Sequence, residues 1–98
     1  MKFARNVHFE IKMGKTDEFN RVMQADVLPL LKQQKGFKEE LTLVSSSKGL
    51  GISIWEDRAS ADAYATGAYP QVLEKLNPTL VGKPNVETFD VTASALAN

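Results

Sequence analysis

At 98 residues the chain has room for one domain with one core, spanning residues 1–98, and any broad apolar surface left over demands a partner chain. Twelve basic residues balance twelve acidic ones (12 Lys+Arg, 12 Asp+Glu) without a basic cluster or stripe, so the electrostatic term behind nucleic-acid binding and polybasic membrane patches is missing. Cysteine is absent, which excludes disulfides, thiolate catalysis and cysteine-held zinc or iron–sulfur sites.

Lys2 to Lys12 alternates, with Phe3, Val7, Phe9, Ile11 and also Arg5 on one face and Ala4, Asn6, His8, Glu10 and Lys12 on the other. Period 2 over this length predicts a half-buried strand. Gly14 breaks it, and Thr16 is the expected N-cap of a helix. From Asp17 to Lys35 the period becomes helical, with Phe19, Val22, Met23, Val27, Leu30 and Leu31 on one stripe. Pro29 within that stripe removes a backbone donor and disfavours helix at Leu28. A kink or break is therefore expected near residues 26–29, and a stop at Gly36 in a left-handed cap.

Phe37 to Ser45 alternates again, with Phe37, Leu41 and Leu43 in the expected buried phase. Ser45 to Gly49 is a turn cluster, and Leu50, Ile52 and Ile54 continue as the return strand with Gly51, Ser53 and Trp55 on its other face. A connection this short predicts an antiparallel hairpin. Asp57 or Ser60 can cap a second helix carrying Ala61, Ala63, Tyr64 and Ala65, ended by Gly67. Pro70 suits the first turn of another helical piece whose apolar side is Val72, Leu73 and Leu76. After loop signals at Asn77-Pro78 and Gly82-Lys83-Pro84, Glu87, Phe89 and Val91 mark a last strand, followed by an Ala/Ser-rich tail.

The order β-α-β-β-α-β is the α+β, ferredoxin-like split βαβ plan: a four-stranded antiparallel sheet with both helical arms on one face. The helices are expected to cover the Phe/Val/Ile/Leu phase. The opposite face would then carry Asn6, His8, Glu10, Glu40, Thr42, Val44, Ser53 and Trp55. Two arrangements fit that mixed set: a sheet facing solvent, or the inner face of a two-sheet barrel closed by a symmetric dimer. No run of about 18 apolar residues is present to span a membrane. The start Met1–Asn6 turns polar too early for the apolar part of a signal peptide, so a cytoplasmic location is expected.

Several segments in order resemble the antibiotic biosynthesis monooxygenase (ABM) family of dimeric α+β barrel proteins. They are Phe9 to Phe19, Leu28-Pro29 before Gln34-Lys35-Gly36-Phe37, Ile52-Ser53-Ile54-Trp55-Glu56, the Tyr64 and Tyr69-Pro70 region, and Val86 to Val91. The resemblance implies a homodimer whose two sheets close into a barrel, with a pocket between sheet and helices in each protomer. It implies a cofactor-independent monooxygenase acting on a small aromatic or polyketide-like substrate, with no cofactor and no metal. The alternative is a non-enzymatic homodimer that binds a small hydrophobic ligand or serves as an interaction module. A haem degrader would need a ligand histidine in residues 58–76, which hold none.

Most of the candidate residues follow from that resemblance, and His8 from the residues themselves. Trp55 matches a tryptophan that often ends the third strand in this family, where it can line the pocket; as a bare aromatic it is first of all a packing residue at a strand end or dimer seam. Asn6 compares with a first-strand asparagine of the oxygenases. The side chain in phase with Phe9 and Ile11 is Val7, however, and a one-residue change of register reverses the face. His8 is the only histidine and the only group that ordinarily titrates near neutral pH, which makes it a candidate for proton transfer or a plain surface histidine. Tyr64 could hydrogen-bond a phenolic substrate, as could Tyr69, and Phe19, Met23, Met13 and Val7 could supply the apolar wall. The expected catalytic set is therefore His8, Asn6 and Tyr64, and the substrate-binding set Trp55, Tyr69, Phe19, Val7 and Met23.

Overall fold

Alternation gives way to helical spacing and back again where the sequence leads one to expect it. The computed structural model describes residues 1–96. Strand β1 (Phe3–Glu10) leads into α1 (Thr16–Val22), a π turn (Met23–Val27) and α2 (Leu28–Lys32). The hairpin β2 (Phe37–Ser45) and β3 (Lys48–Trp55) follows, then α3 (Arg58–Thr66), α4 (Tyr69–Leu76), a 3₁₀ turn (Asn77–Thr79) and β4 (Asn85–Asp90). All strand pairs are antiparallel, in the order β2-β3-β1-β4. This is the expected ferredoxin-like α+β sheet; Ala97 and Asn98 of the tail lie outside the described residues.

The first helical arm bends differently from expectation. Leu28 is helical (φ −60°, ψ −44°), and its N–H reaches back five residues to the carbonyl of Met23. The one-residue bulge comes before the proline, so Pro29 falls in the first turn of α2, where its missing donor is not needed. Met23 and Val27 both stay buried across the bulge. Helix α1 begins at Thr16 itself, with Lys15 as the capping residue and no side-chain cap. The arm ends at Lys32, short of Gly36, which does take a left-handed φ of 81° in the turn leading to β2. At α3, Asp57 is the cap: its Oδ1 accepts from the Ser60 N–H at 2.9 Å.

The larger correction concerns the hairpin. On β1 the helix-facing phase is Phe3, Arg5, Val7 and Phe9, as expected. Phe37 pairs with Trp55, but Glu39 pairs with Ile54, so one extra residue is inserted at Lys38. That β-bulge inverts every later side chain of β2. Glu40 and Thr42 turn toward the helices, while Leu41 and Leu43 point outward and are 52% and 50% exposed. On β3 the buried set is Gly51, Ser53 and Trp55, not Leu50, Ile52 and Ile54. Glu40, Thr42, Ser53 and Trp55 thus move from the expected outer face to the inner one.

The core lies between the sheet and the two helical arms. Trp55 is fully buried within it, stacked on Tyr64 at 4.8 Å between ring centroids and edge-on to Phe37 at 5.6 Å. Phe9 and Phe19 meet at 4.9 Å, and Phe9 lies so close to β3 that a side chain at Gly49 would run into its ring. Among the described residues no helix is long and apolar enough to cross a membrane.

Candidate functional site

Register places the inward side chains in rows across the sheet. Arg5 of β1, Ser53 of β3 and Glu40 of β2 form one row; Val7, Gly51 and Thr42 form the next. These rows floor a cleft. Phe19, Met23, Val27 and Leu31 wall it from the first helical arm, and Tyr64, Tyr69, Val72, Leu73 and Leu76 from the second. The cleft holds about 530 Å³ of empty space, part of it open to solvent at the mouth. It is narrow rather than roomy.

The lining is apolar except for one strip. Arg5 is only 4% exposed, an unusual setting for a guanidinium. Its Cζ lies 4.3 Å from the Tyr69 ring centroid and 5.1 Å from that of Tyr64. This cation–π seat on two rings is worth roughly 0.5–2 kcal/mol. Burial raises the Tyr64 phenol pKa well above its ordinary range and raises that of Tyr69 too, with Arg5 opposing both shifts. Both phenols therefore stay protonated at neutral pH and act as donors.

Glu40 is the carboxylate of the strip. Burial pushes its pKa from an ordinary 4.5 up to about 7, the Thr42 hydrogen bond and the Arg5 charge partly opposing and Glu39 adding to the rise. Thr42 Oγ1 donates to Glu40 Oε2 at 2.9 Å. Gly51 leaves the space in which the carboxylate lies, since a Cβ there would come within 3.3 Å of Oε2. Ser53 Oγ accepts from the Trp55 indole N–H at 2.9 Å, so that donor is engaged within the protein.

Of the residues expected from sequence, Tyr64, Tyr69, Phe19, Met23 and Val7 line this cleft. Trp55 lies behind Tyr64 and supports it without reaching the lining. His8 and Asn6 do not belong to the site, because β1 presents them on the opposite face. There His8 Nε2 sits 2.9 Å from Glu87 Oε1 on a half-exposed surface, and the Asn6 amide oxygen is buried with no hydrogen-bond partner among the described residues. Met13 is exposed and walls nothing. Arg5, Glu40, Thr42 and Ser53 were not anticipated as site residues. An arginine in the buried phase of β1 was a readable signal; Glu40 and Thr42 gave none, because the bulge that turns them inward has no mark in the alternation. Among the described residues no group of three or more His, Asp or Glu stands where it could hold a metal ion.

No protein-family model matches the chain, and no curated protein matches it. Solved structures do. A protein of unknown function from Nitrosomonas europaea, NE2512, superposes with a TM-score of 0.82 at 25% identity, covering 99% of this chain and 95% of that one. A monooxygenase from the gene ActVA-Orf6 of Streptomyces coelicolor, in complex with the ligand nanaomycin D, gives 0.77 at 16% identity over 98% and 92%. SnoaB, a cofactor-independent oxygenase from Streptomyces nogalater, gives 0.76 at 17% identity over 96% of each chain. The fold of this chain is that of the antibiotic biosynthesis monooxygenases.

Proposed function

We propose that this protein is a cofactor-independent monooxygenase for a small planar aromatic or polyketide-like substrate bound in the cleft between sheet and helices. One observation carries the reading: an apolar slot whose polar groups, Arg5, Glu40, Thr42, Tyr64 and Tyr69, converge along a single edge. Such a slot suits a flat ring system with oxygens along one side. Two solved structures of the same fold support it, one an oxygenase described as cofactor-independent and one a monooxygenase holding a ligand.

The chemistry asked of the protein is modest. The substrate loses a proton, and its enolate or phenolate supplies the electrons to dioxygen. For a ring methylene the sum is R₂CH₂ + O₂ → R₂C=O + H₂O, with one oxygen atom kept in the product and the other leaving as water. The apolar walls exclude water from the anion, and Arg5 and the neutral tyrosines stabilise the negative charge on its oxygens. Oxygen consumption on addition of hydroxyanthrones and naphthols, followed with an oxygen electrode and mass spectrometry of products, tests this. Uptake matched by a product heavier by one oxygen and lighter by two hydrogens is expected. Ring-compound binding without any uptake would replace the enzyme by a small-molecule binding protein.

The same reading includes a homodimer. Leu41, Leu43 and Phe89, 52%, 50% and 47% exposed, share the outer sheet face with Leu50, Ile52 and Ile54. An apolar sheet face of this kind is best covered by its own copy, in an isologous contact that closes two sheets into a barrel.

A further inference from the structure

The cleft needs a proton acceptor, and the two tyrosines, held protonated, do not supply one. Arg5 is permanently cationic, and His8 stands on the far side of the sheet. Glu40 is the one carboxylate among the lining residues. It is also held in place: Thr42 fixes one oxygen at 2.9 Å, and Gly51 leaves the bare backbone over which that oxygen rests. In the same row across the floor, beyond Ser53, stands Arg5. With strands about 4.8 Å apart, Glu40 and Arg5 are separated by roughly two strand spacings.

We infer that Glu40 is the general base of the cleft, and that the ligand class is a neutral planar aromatic carrying one acidic hydroxyl or enolisable C–H, bound with that group between Glu40 and Arg5. This rests on the small-molecule reading above. The ligand proton passes to Glu40 Oε1 or Oε2; the bonding pair stays on the ligand, whose anion then faces the Arg5 guanidinium. The exchange (Glu-COO⁻ + ROH → Glu-COOH + RO⁻) leaves the net charge of the cleft unchanged. A buried site can therefore make the anion without importing a counter-ion. The charged and titratable groups facing Glu40 are Arg5 from β1, Glu39 on its own strand, Tyr64 from α3 and, through Arg5, Tyr69 from α4. Burial, only partly opposed by the Thr42 hydrogen bond and Arg5, leaves Glu40 balanced between acid and base at neutral pH, the condition under which a general base works best.

The test uses 1-naphthol and its methyl ether, 1-methoxynaphthalene, with the full chain. Binding is read by the fluorescence of Trp55, which stacks on Tyr64 at the cleft wall. Deprotonation is read by the naphtholate absorption band. The expected result for the wild type is a naphtholate band on binding, with affinity rising about tenfold from pH 6 to pH 8, following ionisation of Glu40. The methyl ether should bind without that pH dependence. Glu40→Gln should lose the band and the pH dependence; Gly51→Ala, which crowds the carboxylate, should weaken both; His8→Gln should leave both unchanged. Circular dichroism melts verify that each variant is folded. A band that persists in Glu40→Gln overturns the assignment of the base, and naphthol bound only as the neutral phenol, or not bound, overturns the ligand class. A Glu40-dependent band with no oxygen uptake from any ring compound keeps the base and removes only the oxygenase reading.

Discussion

The two faces of this sheet are built on opposite rules. The face under the helices carries Gly49, Gly51, Ser53, Glu40, Thr42 and a buried arginine among its aromatic side chains. The face turned away carries Leu41, Leu43, Leu50, Ile52, Ile54 and Phe89. Across the β2–β3 hairpin, hydrophobicity alone would choose the second as the interior, whereas on β1 and β4 that face also carries Asn6, His8 and Glu87. The inner face is small and polar where the cleft needs depth and a polar edge, and the helices close over it with their own apolar stripes. Inside and outside in a strand are thus decided by what must be covered, and a hairpin can place its more apolar side away from the helices, as the proposed dimer would use it.

That contrast can be broken from either side. Truncating Trp55→Ala should cost about 3–5 kcal/mol in urea unfolding, because it removes a fully buried ring, its stack on Tyr64 and its edge contact with Phe37. Leu43→Ala on the other face should cost less than 1 kcal/mol of monomer stability by the same measurement. If the two losses were equal, the faces would not be distinct in the way described. Next in size, Leu41→Asp with Leu43→Asp should raise the dissociation constant of the proposed dimer at least about hundredfold, read by light scattering after gel filtration, while leaving the circular dichroism spectrum intact.

A pH-dependent effect sharpens the inner face. Glu40 has a folded pKa of about 7 against an ordinary 4.5, so the native state holds more protons than the unfolded chain between those values. Its stabilising contribution is full below about pH 4.5 and is lost as the pH rises to about 7. Relative to wild type, Glu40→Gln should therefore gain stability across that window and level off above it. At about 1.4 kcal/mol per pKa unit, discounted for the partial exposure of the carboxylate, the plateau is about 2 kcal/mol. Paired urea titrations at pH 4.5 and pH 8 measure the difference.

The sequence made the element order, the antiparallel hairpin and the β1 phase legible because each has a direct local signature: a change of period, a short turn, an unbroken alternation. It also led to five of the lining residues, Val7, Phe19, Met23, Tyr64 and Tyr69. What stayed hidden was the phase of the hairpin. The bulge at Lys38 adds one residue to one strand of a pair, which is visible only when both strands are laid side by side. On β3, glycine and serine carry little hydrophobic signal, and the two isoleucines of that strand outweighed Trp55 in the count. Asn6 was drawn in by resemblance and His8 as the sole histidine, although their alternation already placed both outside.

The π turn in the first helical arm has a consequence for how this chain compares with shorter ones. Such a turn takes up a single inserted residue without unwinding the flanking helix. Removing one residue between Met23 and Val27 would restore a regular helix and leave the two flanks in phase, because the wide turn already absorbs the extra residue. Phe19 and the residue equivalent to Leu31 would both stay on the cleft wall. A relative one residue shorter here should carry its wall side chains at shifted positions, and an alignment that refuses a gap at this turn will pair the wrong residues throughout α2.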